Sequence, residues 1–286
     1  MSAERIEVLK NRWHSINIIQ KRASQSKLWS LGVFVTMTIA LMISSILLIN
    51  GMRFIETNLL MVEKQVLLVP VLTNGILISL YLALLAAIGF SRELDKGTLE
   101  TLLYGPVNEL TFIIGSFLAY LKVFTITLII TLIWSNLCVW ILNLSFRLDI
   151  LGLLIASLFM TAELIALGLF SAAWGGKTRN ALIYLVLVIL LLGGVQIADF
   201  IVSGLVQLTT TTASDPMIVV RDILASINGI TRWFSPFALG LHSMEAIIEQ
   251  SYTQFFLNIG LMVLETILLL GGAIVLLKKK GVRGMS

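Results

Sequence analysis

Long apolar stretches alternate with short polar ones along the whole chain. Each of six stretches is long enough to cross a hydrocarbon core of about 30 Å as a helix. The pattern therefore predicts an all-α polytopic membrane protein with six transmembrane helices, in which residues 1–286 form a single transmembrane domain. The expected spans are Leu28–Ile49, Val66–Phe90, Leu118–Leu142, Ile150–Trp174, Ala181–Leu205 and Ser251–Leu277.

The third apolar stretch, Leu110–Phe146, is too long for one straight span. We therefore expect a short interfacial helix that ends near Ser116, followed by a span that begins near Leu118. Two further short helices are expected in the polar region 205–250, where Ser-Asp-Pro216 and Ser-Pro236 are helix-start signals. Together with an aromatic pair of the kind found at membrane interfaces, Trp233-Phe234, these signals predict re-entrant or interfacial helices on the outer leaflet before the sixth span.

Residues 1–27 form a polar, basic segment in front of the first span. Its apolar residues follow a helical repeat of three and four, which predicts an amphipathic helix that lies on an anionic membrane surface. Alternatively, the same helix packs on the protein's own helix ends, and the two arrangements are compatible. The repeat consists of Ile6, Leu9, Trp13 and Ile16.

The amino-acid composition also indicates a membrane protein and excludes several other classes of protein. Hydrophobic residues make up 58% of the chain and charged residues only 13%, about half of the roughly 25% that is typical of soluble proteins. The net charge of +4 is too small to indicate nucleic-acid binding. Cys138 is the one cysteine, so an internal disulfide is excluded, and the two distant histidines do not suggest a metal site.

The distribution of charge predicts the orientation. Most of the 20 Lys and Arg residues fall in the two termini and in the connections after the second and fourth spans. Because Lys and Arg are enriched on the cytoplasmic side of membrane proteins, we expect a multi-pass protein of the cell membrane with both termini in the cytoplasm. The charged connection Arg92–Val107 is then cytoplasmic as well.

The connection Arg92–Val107 has the pattern of a short amphipathic helix. Thr98 follows a glycine and is suited to cap a helix, and the leucines after it recur at helical spacing. Gly105-Pro106 then ends the helix, because proline cannot continue the hydrogen-bonding pattern. The alternative is an ordinary charged loop between two spans.

This stretch also resembles the signature of the type-2 ABC-transporter permeases. In that family the segment is the coupling helix that docks on an ATP-binding subunit. The resemblance implies the membrane-spanning permease subunit of an ATP-driven exporter, with ATP and Mg on the partner subunit and no cofactor in this chain. It also implies a second permease chain, identical or similar, with membrane lipid around both. The matching residues are Arg92, Glu93, Gly97, Thr98, Leu99, Glu100, Leu102, Leu103 and Pro106.

The chain has no Gly-x-x-x-x-Gly-Lys-Ser/Thr phosphate-binding loop, so we expect a transporter subunit without enzymatic activity of its own. Four ionisable residues lie within the apolar runs: Lys122, Glu163, Asp199 and Glu265. Such residues are costly in a membrane, so they are candidates for a substrate path or for buried polar contacts. Two alternative functions remain open, namely an ion-coupled secondary transporter and a membrane-embedded enzyme, each using Glu163 or Glu265.

Overall fold

The computed structural model describes residues 16–21, 24–25, 30–57, 66–96, 108–144, 149–208 and 216–281. These residues are mostly helical and include no strand, which confirms the all-α prediction. The long helices in the described part of the chain are α1 (Leu31–Thr57), α2 (Leu68–Asp95), α3 (Glu109–Ile141), α4 (Asp149–Gly175), α5 (Thr178–Leu208), α6 (Pro216–Thr231), α7 (Pro236–Ile248) and α8 (Tyr252–Gly281).

Six helices, α1 to α5 and α8, are long and apolar enough to cross a membrane, as the sequence predicted. Several of them extend beyond the predicted spans. α1 continues to Thr57 through Arg53 and Glu56, and α2 continues to Asp95. Hydropathy marks the apolar length of a span, whereas a helix ends where its backbone hydrogen bonding ends, so charged residues can extend it past the hydrocarbon.

The predicted division of the third apolar stretch is wrong. In place of a short helix ending near Ser116 and a span from Leu118, the structure has one continuous helix, α3. No proline interrupts this stretch, so nothing removes the backbone hydrogen bonds that continue the helix. At 1.5 Å per residue α3 is about 50 Å long, which exceeds the hydrocarbon thickness.

Helix α4 is the centre of the bundle, and most of its residues are buried. α2 and α8 have the most extensive contacts with it. At the α2–α4 contact, a Cβ added to Gly168 would lie 2.4 Å from the carbonyl oxygen of Ala83, so the two backbones touch. Small residues permit this close approach between membrane helices. In contrast, α1, α5 and α8 leave much of their apolar surface exposed.

Consecutive spans run in opposite directions, which gives the bundle two distinct ends. Along α1 and α2, for example, Gly32 lies against Tyr81 and Gly51 against Val66, and between these contacts the Ser44 hydroxyl donates a hydrogen bond to the carbonyl oxygen of Pro70 at 2.9 Å. The Arg92 end holds the end of α2, the start of α3 and the end of α8. The Asp149 end holds the starts of α2, α4 and α8.

The two short helices expected before the sixth span are present as α6 and α7. Both begin at the predicted prolines, Pro216 and Pro236. Ser235 caps α7, since its hydroxyl accepts a hydrogen bond from the amide of Ala238 at 3.4 Å. Helix-start chemistry is local, so the sequence located these helices even without a span-length apolar run.

The hairpin of α6 and α7 enters the bundle from the Asp149 end. Phe237, at the start of α7, lies against Gly193 of α5, and Gly240 lies against Met160 of α4. Both contacts are near the middle of the longer helices. The first turns of α7 are therefore buried among the spans, while its last turn lies near the start of α4.

The predicted amphipathic helix over residues 1–27 is described only in part. Residues 16–21 and 24–25 are helical, and Ile16, the last member of the predicted apolar stripe, is buried. The remainder of that segment lies outside the described residues.

Candidate functional site

The signature stretch begins within α2. Arg92 and Glu93 lie in the last turn of that helix, and Lys96 caps its C-terminal end. The remaining predicted coupling residues lie outside the described residues: Gly97, Thr98, Leu99, Glu100, Leu102, Leu103 and Pro106. The described residues therefore define what the stretch is attached to, which is α2 before it and α3 after it.

Helices α2 and α3 are joined to each other close to this end. The Tyr120 hydroxyl of α3 donates a hydrogen bond to the carbonyl oxygen of Leu85 in α2 at 2.8 Å. Nearer the end, the rings of Phe90 and Phe112 are in contact, with centroids 5.7 Å apart. Polar and aromatic contacts thus hold α2 and α3 together where they flank the signature stretch.

The helical residues near the N-terminus pack against the same place. Ile19 lies on α3 at Gly115, where an added Cβ would be 2.9 Å from Ile19 Cγ2. The sequence analysis missed this contact because an apolar run does not show which of its residues meet another segment. A glycine in the unbroken run of α3 was the one available signal. The residues that meet here form the Arg92-end cluster: Ile16, Ile19, Phe90, Phe112, Gly115 and Tyr120.

Glu163 and Glu265 meet in the middle of the bundle. Their carboxyl groups, on α4 and α8, are close enough to interact directly. Glu163 is 2% exposed, and its Oε2 atom has no hydrogen-bond partner in the described structure, whereas Glu265 is half-buried. A hydrogen bond between two carboxyl groups requires a proton on one of them, because two carboxylates only accept.

The other two ionisable residues of the apolar runs lie apart from this pair. Lys122 is exposed on α3. Asp199 of α5 accepts a hydrogen bond from Asn228 Nδ2 of α6 at 2.8 Å, and Gln196 Nε2 donates to Asn228 Oδ1 at 2.6 Å. Asp199 therefore helps to hold α6 against α5.

A second set of polar contacts, which the sequence analysis did not single out, crosses the core. The hydroxyls of Ser79 in α2 and Thr161 in α4 are 2.5 Å apart. Asn74 Nδ2 donates to Thr131 Oγ1 of α3 at 2.6 Å. Such bonds between membrane helices contribute about 1 kcal/mol each. Serine and threonine within an apolar run do not show from the sequence which residue of another helix they will contact.

A polar cavity of about 440 Å³ extends along α7, from the α6–α7 connection at the inner tip of the hairpin to the first turns of α8 at the Asp149 end. Ligand pockets are typically roughly 300 to 1,000 Å³. His242 Nδ1 and Glu245 Oε2 are 2.8 Å apart at its wall, and the Arg232 guanidinium lies 5.1 Å from the centroid of the Trp233 ring. The lining consists of Arg232, Trp233, Leu239, His242, Glu245, Glu249, Gln254, Leu257 and Asn258.

No group of three or more His, Cys, Asp or Glu side chains in the described ranges is placed to hold a metal ion. Comparisons with protein-family models, with curated proteins and with solved structures gave no match for this chain. What the chain does must therefore be inferred from its own residues and their geometry.

Proposed function

We propose that the chain is the membrane-spanning permease subunit of an ATP-driven ABC transporter, and that this transporter is an exporter. The observation that carries the proposal is the attachment of the signature stretch, whose first residues, Arg92 and Glu93, form the last turn of α2. α2 in turn packs along the central helix α4. A force on the stretch would therefore reach the core of the bundle through a continuous helix.

The Arg92-end cluster supports the same role. It ties α2, α3 and the N-terminal helical residues to one another at the base of the stretch. A coupling element must transmit movement to more than one span, because alternating access needs spans to move as rigid groups. In our proposal α2 and α3 move together as one such group.

Charge supports the orientation that this role requires. The two termini and the connections after α2 and after α4 contain most of the Lys and Arg residues of the chain. With that end in the cytoplasm, the distribution follows the positive-inside rule and the signature stretch faces the compartment that contains ATP. The proposed location is the cell membrane, with both termini cytoplasmic.

The proposal requires partner subunits. Since the sequence has no Gly-x-x-x-x-Gly-Lys-Ser/Thr loop, ATP and Mg²⁺ would bind on a separate ATP-binding subunit. Closure of two such subunits would move two signature stretches and change the access of a pathway between two permease chains. The exposed apolar surfaces of α1, α5 and α8 offer area for a second permease chain and for lipid.

Substitutions in the stretch test the proposal. We expect Glu100→Ala and Gly97→Val to leave membrane insertion intact but to reduce co-purification of the ATP-binding subunit, or to uncouple its ATP hydrolysis from transport. Truncating a charged contact at an interface typically costs about 2 kcal/mol or more. Lys177→Ala, an exposed position in the α4–α5 connection at the same end, serves as the control and should have no effect. Wild-type coupling in both stretch variants would contradict the proposal.

The carboxyl pair favours a second candidate, an ion-coupled secondary transporter in which Glu163 and Glu265 bind the coupling ion. The energy source that drives transport distinguishes the ABC exporter from the ion-coupled transporter. Transport by an ABC exporter should stop when ATP is depleted and should continue when the proton gradient is collapsed. The opposite result would favour the ion-coupled transporter.

A further inference from the structure

The polar cavity along α7 contains charges of both signs that do not neutralise each other. Arg232 forms no ion pair within the described ranges, and its guanidinium lies over the Trp233 ring instead. Glu249 is likewise not paired with a cation there, whereas Glu245 Oε2 lies 2.8 Å from His242 Nδ1. A ligand that carries both a negative and a positive group would satisfy both sides of the cavity.

The surroundings of the cavity indicate that such a ligand also has an apolar part. Trp233 is 43% exposed, and the neighbouring Phe234 is 65% exposed. Leu257 lines the cavity and is itself 48% exposed on α8, and the exposed Leu264 and Leu268 follow it at helical spacing. An apolar track therefore leads from the cavity along the membrane-facing side of α8.

We propose that this cavity binds the zwitterionic head group of a phospholipid, with the phosphate at Arg232 and a primary amine at Glu249 and Glu245. The planar guanidinium of arginine is well suited to bind phosphate oxygens, and a carboxylate accepts hydrogen bonds from an ammonium group. The acyl chains lie on the track that begins at Leu257. This proposal goes beyond the transport role and does not rest on it.

Lipid binding to the purified full-length chain tests the proposal. Native mass spectrometry in detergent would compare added phosphatidylethanolamine, which carries both charges, with phosphatidylglycerol, which carries the phosphate alone. We expect the wild-type chain to prefer phosphatidylethanolamine by at least about tenfold, since a hydrogen bond to a charged group is worth this much in affinity. Equal binding of the two lipids by the wild-type chain would overturn the proposal.

Substitutions in the cavity test which side chains bind the phosphate and which bind the amine of the head group. Arg232→Gln should weaken the binding of both lipids, and Glu245→Gln combined with Glu249→Gln should remove the preference for phosphatidylethanolamine. The matched controls are Arg221→Gln and Asp222→Asn, an exposed ion pair on α6 that does not line the cavity, and both should bind lipid like the wild type. A preference that survives both sets of cavity substitutions would place the lipid elsewhere and overturn the assignment.

A soluble competitor separates a lipid from a water-soluble ligand that has the same charges. Glycerophosphoethanolamine has the head group but no acyl chains to lie on α8. It should therefore compete at least about tenfold more weakly than the lipid, because burial of even a few CH₂ groups contributes this much. Equal competition would assign the cavity to a soluble zwitterion and would contradict the lipid assignment.

Discussion

At the scale of single residues, the mid-bundle carboxyl groups of Glu163 and Glu265 are costly to place in a membrane. An acidic residue at the centre of a membrane helix costs about 2.5 to 3.5 kcal/mol on insertion scales. Glu163 is almost fully buried, and one of its oxygens has no partner among the described residues. Glu265 is the group within reach that offsets part of this cost. The two residues should therefore behave as one unit.

We predict energetic coupling between Glu163 and Glu265. Replacing either residue by leucine removes the interaction and leaves the other carboxyl group without its neighbour, whereas replacing both removes both groups. A double-mutant cycle with Glu163→Leu and Glu265→Leu should give a coupling energy of about 0.5 to 3 kcal/mol, measured by denaturant unfolding in detergent. The control cycle pairs Glu163→Leu with Glu56→Leu, at the exposed end of α1, and should be additive. Additive effects of the first pair would contradict the coupling.

At the scale of helices, the closest packing lies between α2 and α4. Gly168 allows the backbone of α4 to touch the backbone of α2 at Ala83. The hydroxyl contact between Ser79 and Thr161 crosses the same interface. These features hold α2 and α4 closely together, so under the proposed function a movement of α2 at the Arg92 end would also reach α4.

The contact between α2 and α4 can be tested by comparing alanine substitutions at two glycines, one inside the contact and one outside it. Gly168→Ala would place a Cβ 2.4 Å from a backbone oxygen, which no side-chain rotation can relieve, so α2 must shift. We expect a loss of stability of about 1 to 3 kcal/mol, as is typical of overpacked interiors. Gly194→Ala of α5, with nothing within 4 Å of the added Cβ, is the matched control and should be neutral or stabilising by up to about 1 kcal/mol. Thermal unfolding in detergent measures both, and equal stability of the two variants would show that the backbones are not in contact.

At the scale of the whole molecule, the bundle presents two chemically different ends. Among the described residues, the Arg92 end contains the attachment of the signature stretch and the basic residues Arg92, Lys96, Lys177 and Lys278, whereas the hairpin of α6 and α7, with its polar cavity, enters from the Asp149 end. The proposed function places the first end in the cytoplasm and the second end outside. The two ends must then react with reagents added on opposite sides of the membrane.

Single-cysteine labelling checks this topology. In a chain in which Cys138→Ser removes the native thiol, Lys177→Cys should react only with an impermeant reagent on the cytoplasmic side. Arg221→Cys should react only from outside. Lys177 is exposed between α4 and α5, and the side chain of Arg221 on α6 is 42% exposed. Reaction of both from the same side would exclude the six-span arrangement with both termini in the cytoplasm.

The sequence by itself determined which segments are helices long and apolar enough to cross a membrane and where the hairpin helices begin. Apolar length is a property of each segment alone, and proline after a capping residue specifies a helix start locally, as at Pro216 and Pro236. Helix ends were less well determined: α1 runs to Thr57 and α3 is unbroken through Ser116, because charged or glycine residues do not by themselves end a helix. The coupling role of Gly97 to Pro106 stays a prediction, since those residues lie outside the described ranges.

Only the tertiary structure decided which residues meet. The pairing of Glu163 with Glu265, the bonding of Asp199 to Asn228, and the polar cavity all depend on how helices from distant parts of the chain are rotated and packed. In a membrane, lipid is as apolar as the protein interior, so a span can be hydrophobic on every face. Its sequence therefore does not reveal which face turns toward which neighbour, and that information exists only in the packed bundle.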